Sequence, residues 1–250
     1  MSEEAVQFSA KDGSLLRGIL HLPDLAKAPG FICIHGLTLD HEMFADLGRM
    51  AAAAGILCLR FHMRGHGDSE GRLEEQGFED EVDDARSALE YLGARAEIEA
   101  GRLGALGFSL GGAVAGVLSS RVALGALATW GSLLDTQRWT SLRYEQYGRP
   151  FEGMVRIWDE IPVSESLFNQ AIANDPFTNV LDFKGPYFAA HGGRDRNHPQ
   201  EKSIEVVEAR LARGLPSEGF FPASSGHKFQ VPEDQALLLE KTVDFFKASL

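Results

Sequence analysis

The chain has 250 residues, 44% of them hydrophobic, and a formal net charge of −12. That length carries one substantial core, and the negative charge repels phosphate backbones and anionic bilayer surfaces, so neither nucleic acid nor membrane is an expected partner. No run approaches the roughly 18 apolar residues of a membrane span, the amino terminus lacks the basic and apolar segments of a signal peptide, and Cys33 and Cys58 sit in apolar stretches; together these predict a reduced, cytoplasmic protein.

Residues 6–9 and 15–22 flank Lys11-Asp12-Gly13-Ser14, and Asp-Gly between two extended runs is a hairpin signal. Pro29-Gly30 opens Phe31-Ile32-Cys33-Ile34, a continuous apolar run suited to a strand covered on both faces, which ends at His35-Gly36-Leu37. An alanine-rich helix over 43–54 is closed by Gly55, and 56–61 is the next buried strand. The following His62-Met63-Arg64-Gly65-His66-Gly67-Asp68-Ser69 holds two histidines and an acid. Histidines four apart share a face only on a helix, which these glycines oppose, so the stretch reads as a polar strand-end loop and no metal is expected. A helix over 78–94 opens with Glu79, Asp80, Glu81, Asp83 and Asp84, an order that complements the helix dipole, and the acid run reads as a solvated face.

Strand 102–106 runs into Gly107-Phe108-Ser109-Leu110-Gly111-Gly112, followed by a small-residue helix over 113–118 and a strand over 124–130. From 131 to 184 the pattern changes to two or three short helices and no clear strand, carrying Trp139, Tyr144, Tyr147, Phe151, Trp158, Phe168 and Phe177. The stretch is too long for a simple connection and reads as a cap inserted after the sixth strand, over the sheet's carboxyl edge. A strand over 186–190 ends at His191-Gly192-Gly193-Arg194-Asp195. A helix over 200–213, a short strand over 219–221, Ser224-Ser225-Gly226-His227 and an amphipathic helix over 232–250 complete the chain. Alternating strands and helices predict an α/β fold: a mostly parallel sheet with helices on both faces, built from 1–130 and 185–250, with 131–184 as the cap.

A serine on a sharp turn between strand and helix is held in a strained conformation with its oxygen exposed above the sheet, and glycines two residues before and after let the two arms pass. No Gly-Lys-Ser/Thr follows, so the turn is not a phosphate-binding Walker loop. Ser109 therefore reads as a nucleophile, which needs a base and an orienting acid. His227, just past the last strand, is the candidate base, with His198 its competitor. Asp195, just past the preceding strand, is the candidate acid, with Asp175 and Asp182 as alternatives. The backbone amides of Leu37 and Leu110 are placed to form an oxyanion hole.

Taken together, His35-Gly36, Arg64-Gly65-His66-Gly67-Asp68-Ser69, Gly107-Phe108-Ser109-Leu110-Gly111-Gly112, His191-Gly192-x-x-Asp195 and Gly226-His227-x-Phe229 resemble the α/β-hydrolase superfamily across nearly the whole chain. The length and the Arg-Gly-His-Gly-x-Ser turn are most similar to small serine esterases, including the cinnamoyl/feruloyl esterase type. That resemblance implies a sheet of eight strands with the second antiparallel. The expectation is a carboxylic-ester hydrolase that works through an acyl-enzyme without metal or organic cofactor. Its substrate would be a small short-chain or aryl (hydroxycinnamoyl-type) ester, with Trp139, Tyr144 and Tyr147 as candidate pocket walls. Thioesterase, peptidase, C–C hydrolase and perhydrolase chemistry share the fold and triad, and a non-catalytic ligand-binding member is the rival of another class.

Overall fold

The structure, a computed structural model, describes residues 1–148, 153–157 and 161–250, so Phe151 and Trp158 lie outside the described residues. Strands β1 (Ser2–Ser9) and β2 (Leu15–Leu22) form the hairpin around Gly13, whose φ of 92° glycine adopts without a Cβ clash. Strands β3 (Ala28–Ile34), β4 (Leu57–Phe61), β5 (Ile98–Phe108) and β6 (Ala126–Trp130) alternate with helices α1 (Ala45–Ala53), α2 (Phe78–Gly93) and α3 (Leu110–Ser119). Then come α4 (Thr136–Tyr147), β7 (Met154–Ile157), β8 (Ile161–Ser164), α5 (Glu165–Ile172) and α6 (Pro176–Asp182). The chain ends with β9 (Tyr187–Ala190), α7 (Glu201–Ala212), β10 (Ser217–Phe220) and α8 (Pro232–Ser249).

The main sheet has eight strands in the order β1-β2-β4-β3-β5-β6-β9-β10. Strand β2 is antiparallel to both neighbours, and the other pairings are parallel. Side chains alternate between faces, so each central strand feeds two cores. Ile32, Ile34, Leu57, Leu59, Ala105 and Leu127 join α2 and α3 on one face. Phe31, Cys33, Cys58, Leu106, Ala126 and Ala128 join α1 and α8 on the other, where Phe31 stacks on Phe246 at 4.1 Å. Cys33 and Cys58 are free and buried, with their sulfurs 3.5 Å apart.

Two readings of the sequence need correction. Residues 131–184 do contain strands: β7 and β8 pair as a small antiparallel sheet. Each spans only four residues and β8 carries Pro162, so neither shows the alternation by which a strand is read. The acid run of α2 is only in part a solvated face: Glu79, Asp80 and Asp83 reach solvent, but Glu81 and Asp84 are fully buried. Asp84 takes three hydrogen bonds from Arg64, from its backbone N–H at 2.8 Å, its Nε at 2.9 Å and its second terminal nitrogen at 2.6 Å. Neither Glu81 oxygen has a hydrogen-bond partner, and burial, with Asp84 and Asp80 nearby, pushes its carboxyl up to about 8.

Within 131–184, the buried stripe of α4 is Thr136, Thr140 and Tyr144. Helix α6 packs on α3, with Pro176 and Val180 against Gly116. Its end is tied to α7 by the buried Arg210, which donates to the carbonyls of Val180 and Phe183 at 2.6 Å each and of Gly185 at 2.7 Å. Carbonyls at a helix carboxyl end carry partial negative charge, which compensates a buried cation.

Candidate active site

Ser109 joins β5 to α3 with φ 55° and ψ −119°. A side chain in that region stores about 1–3 kcal/mol of strain, which persists only when the surroundings over-determine it. They do here. The Ser109 N–H donates to Trp130 O at 2.9 Å, and its carbonyl accepts from Gly112 and Leu133, each at 3.0 Å. A Cβ on Gly107 would collide with the Gly111 backbone, and one on Gly111 with the Ile34 and His35 carbonyls, so both glycines are required by the close passage.

Loops leaving the carboxyl ends of neighbouring strands bring two further side chains to Ser109. His227, after β10, lies with Nε2 3.0 Å from Ser109 Oγ and Nδ1 2.6 Å from Asp195 Oδ2. Asp195, after β9, has a fully buried side chain. Burial opposes its charge, but hydrogen bonds from His191 and His227 outweigh that and hold the carboxyl far below the usual range. Its other oxygen accepts from the backbone N–H groups of Asn197 at 2.8 Å and His198 at 3.1 Å. An ionised Asp195 fixes His227 with its proton on Nδ1, leaving Nε2 to accept from the serine hydroxyl.

Of the competing residues, His198 also lines the cavity, whereas Asp175 and Asp182 are engaged elsewhere. The His198 ring lies 5.3 Å from the His227 ring, and burial, reinforced by His227, pushes it down to about 3. Asp175 caps α6 by accepting from the Thr178 N–H at 3.0 Å, and Asp182 pairs with Arg213 at 2.9 Å.

Leu37 and Leu110 both line the cavity over Ser109. Leu110 is the first residue of α3, so its amide is among those a helix leaves without an internal acceptor. The loop bearing Leu37 is fixed by two histidines. His35 donates from Nδ1 to Gly36 O at 2.9 Å and accepts the Met63 N–H on Nε2 at 3.1 Å. His66 accepts the Thr38 N–H on Nε2 at 3.3 Å and donates from Nδ1 to Arg64 O at 3.1 Å. Burial lowers the pKa of both rings, which keeps them neutral and able to accept. His66 is held in turn by Arg64 on Asp84. This support was not read from the sequence; its signal was the Arg64-Gly65-His66 turn opposite an acid-rich helix. His62 pairs with Asp68 at 2.7 Å, so the histidines of that turn point to separate partners.

The cavity measures about 360 Å³. Of the three aromatic residues expected in its wall, Trp139 lines it, together with Arg143 and Ile157. Tyr144 is buried instead, hydrogen-bonded to Asn169 with its ring 6.4 Å from Phe168. Tyr147 is half-buried against the main apolar cluster and is not among the lining residues.

The sequence pattern of the prolyl oligopeptidase family matches residues 48–250. The chain belongs to that family. This family member is 36% identical over 87 residues to an uncharacterised protein of Mycobacterium tuberculosis, a match covering 35% of this chain and 30% of that protein. The chain is matched over only about a third of the length of such curated relatives. Among solved structures, Est1E from Butyrivibrio proteoclasticus with ferulic acid bound superposes with a TM-score of 0.86 at 20% identity, covering 98% of this chain and 99% of that one. The esterase domain of a Rhodothermus marinus protein gives 0.74 at 20% identity, covering 99% of each chain. The fold is that of the α/β-hydrolases. Among the described residues no helix is long and apolar enough to cross a membrane.

Proposed function

We propose that the chain is a serine hydrolase of carboxylic esters, with Ser109 as nucleophile, His227 as base and Asp195 as the orienting acid. The observation that carries this is the unbroken relay from Ser109 Oγ through His227 to Asp195, at 3.0 and 2.6 Å. Ser109 Oγ attacks the ester carbonyl while His227 Nε2 takes its proton. The amides of Leu37 and Leu110 stabilise the oxyanion, where backbone donors act without reorganising. The intermediate collapses by breaking the carbonyl–alkoxy bond, His227 returns the proton to the leaving alcohol, and Asp195 stabilises the imidazolium between the two steps. Water, deprotonated by His227, then attacks the acyl-enzyme, and the acid leaves as Ser109 regains its proton. None of these steps calls for a metal or organic cofactor.

In this reading residues 131–184 form the cap, and Trp139 supplies the face on which an acyl group or single aromatic ring rests. A cavity of about 360 Å³ suits short-chain or aryl esters, hydroxycinnamates among them, over long lipid chains. Ferulic acid in the Butyrivibrio neighbour agrees with that size class. The family's name favours a second reading, cleavage of peptide bonds, by the same relay. The test is a panel of nitrophenyl butyrate, methyl ferulate, nitrophenyl palmitate, acyl-CoA and aminoacyl anilides. Turnover of the first two, lost about 10⁴-fold in Ser109→Ala, is the expected result. Preference for the anilides would replace the ester reading with the peptidase one.

A further inference from the structure

The cavity over Ser109 carries charge opposite to that of the molecule. The chain has 36 acidic residues against 24 lysines and arginines. Yet among the described residues, those of fixed charge lining this cavity are Arg143 and Lys228, with no carboxylate. Beyond Trp139 and His198 a second cavity of about 480 Å³ adjoins, which those two residues help to line; there Arg138, Arg196 and Lys202 face Asp135 and Glu201. On α4, Trp139 and Arg143 are one turn apart, as are Arg138 and Leu142, so each pair shares a face; Arg143 lines the first cavity, Arg138 and Leu142 the second, and Trp139 stands between them.

Most of these basic groups lack a counter-charge, whereas many arginines elsewhere on the surface have one. Arg49, Arg64, Arg72, Arg95, Arg121 and Arg213 each meet a carboxylate. Lys202 is engaged by Glu205 at 2.8 Å. Among the described residues, Arg138, Arg143, Arg196 and Lys228 form no ion pair. Arg143 is half-buried and, among the described residues, donates only to the amide oxygen of Gln146, at 2.7 Å. Asp135 is occupied as the cap of α4, accepting from the Arg138 backbone N–H at 2.9 Å. A guanidinium in a cavity wall with spare donors is a ready partner for a carboxylate, and a cleft of one sign concentrates ligands of the other.

We propose that the preferred substrates are esters that carry a second, free carboxylate, held by Arg143, with Lys228, Arg138 and Arg196 supplying the attracting field. This rests on the ester-hydrolase reading above and adds the class of ester. The net charge of −12 by itself predicts the opposite preference, so the sign of the effect is diagnostic.

Two matched pairs test it. 4-Nitrophenyl hydrogen adipate against 4-nitrophenyl methyl adipate places the charge on the acyl side, and 4-acetoxybenzoate against its methyl ester places it on the alcohol side. Each rate is normalised to hydrolysis by hydroxide. The wild-type enzyme should favour the anionic member of at least one pair by about tenfold in kcat/KM at low ionic strength. That preference should fall towards unity in about 1 M salt, where the screening length is about 3 Å. Arg143→Gln should collapse the ratio and Arg143→Lys should restore part of it. Should Arg143→Gln fail to fold, the salt dependence of the wild-type ratio still decides. Hydrolysis of the neutral members with no anionic preference in either pair overturns the proposal and leaves the ester reading standing. No Ser109-dependent hydrolysis of any of the four esters overturns both.

Discussion

On one side of the cavity, Ser109, His227, Asp195 and Leu37 sit on loops leaving the carboxyl ends of β5, β10, β9 and β3, and fixed hydrogen bonds brace those loops. On the other side, α4 offers Trp139 and Arg143 from a helix whose buried stripe is two threonines and a tyrosine. The first wall is over-determined: strain at Ser109, glycines that admit no side chain and two neutral histidines under one loop all specify the same arrangement. The second wall is held by ordinary helix packing and can accept different residues. Changes to the first should cost chemistry, and changes to the second should alter choice of substrate.

The largest expected effect breaks the first wall at its centre. Ser109→Ala and His227→Ala should each lower kcat for ester hydrolysis by about 10⁴-fold, because the relay acts as a unit, with the melting temperature nearly unchanged. Comparable activity in His227→Ala would move the base elsewhere and dissolve the contrast. Next, His35→Ala should lower kcat by about 100-fold with a smaller change in KM, since it releases the Leu37 amide from its brace rather than removing a reacting group.

A third test concerns the cost of burying charge behind that wall. Glu81, raised from 4.5 to about 8 in the fold, is protonated there over a range in which the unfolded chain is ionised. Unfolding then releases a proton, so stability falls as pH rises through that window. Glu81→Met removes the effect, and should stabilise the protein by about 3 kcal/mol more at pH 8 than at pH 5 in denaturant titrations. An equal gain at both values would mean that the carboxyl is charged throughout. The smallest effect lies on α4. Trp139→Ala should shift the ratio of aryl to short alkyl ester turnover by about fivefold with little loss of stability, whereas Tyr144→Ala should lower stability by about 2–3 kcal/mol and leave the ratio alone. The reverse pattern would place the tyrosine in the substrate's path.

The same contrast explains what was legible in the sequence. Glycine at 107, 111 and 192, with the buried strands before 107 and 192, marks strand ends and tight turns, because a Cβ at any of the three would meet backbone. The sheet, its order of elements and the grouping of Ser109, Asp195 and His227 followed from those marks. Helix α4 left no such trace: Thr136 and Thr140 on its buried stripe break the apolar period, so nothing showed that Trp139 faces the cavity while Tyr144 faces Phe168. The burial of Glu81 and Asp84 was hidden for a related reason, since five acids in one helical turn and a half look alike until a partner such as Arg64 is placed.

The central claim, that Ser109 is the nucleophile, is tested most directly by reaction with a fluorophosphonate followed by mass analysis of the tryptic peptide covering residues 103–121, which also contains Ser119 and Ser120. The relay at 3.0 and 2.6 Å predicts one adduct per chain, on Ser109, blocked by prior incubation with a hydrolysed ester and absent from His227→Ala on the same timescale. An adduct on another serine, or labelling of Ser109 that proceeds equally fast without His227, would contradict it.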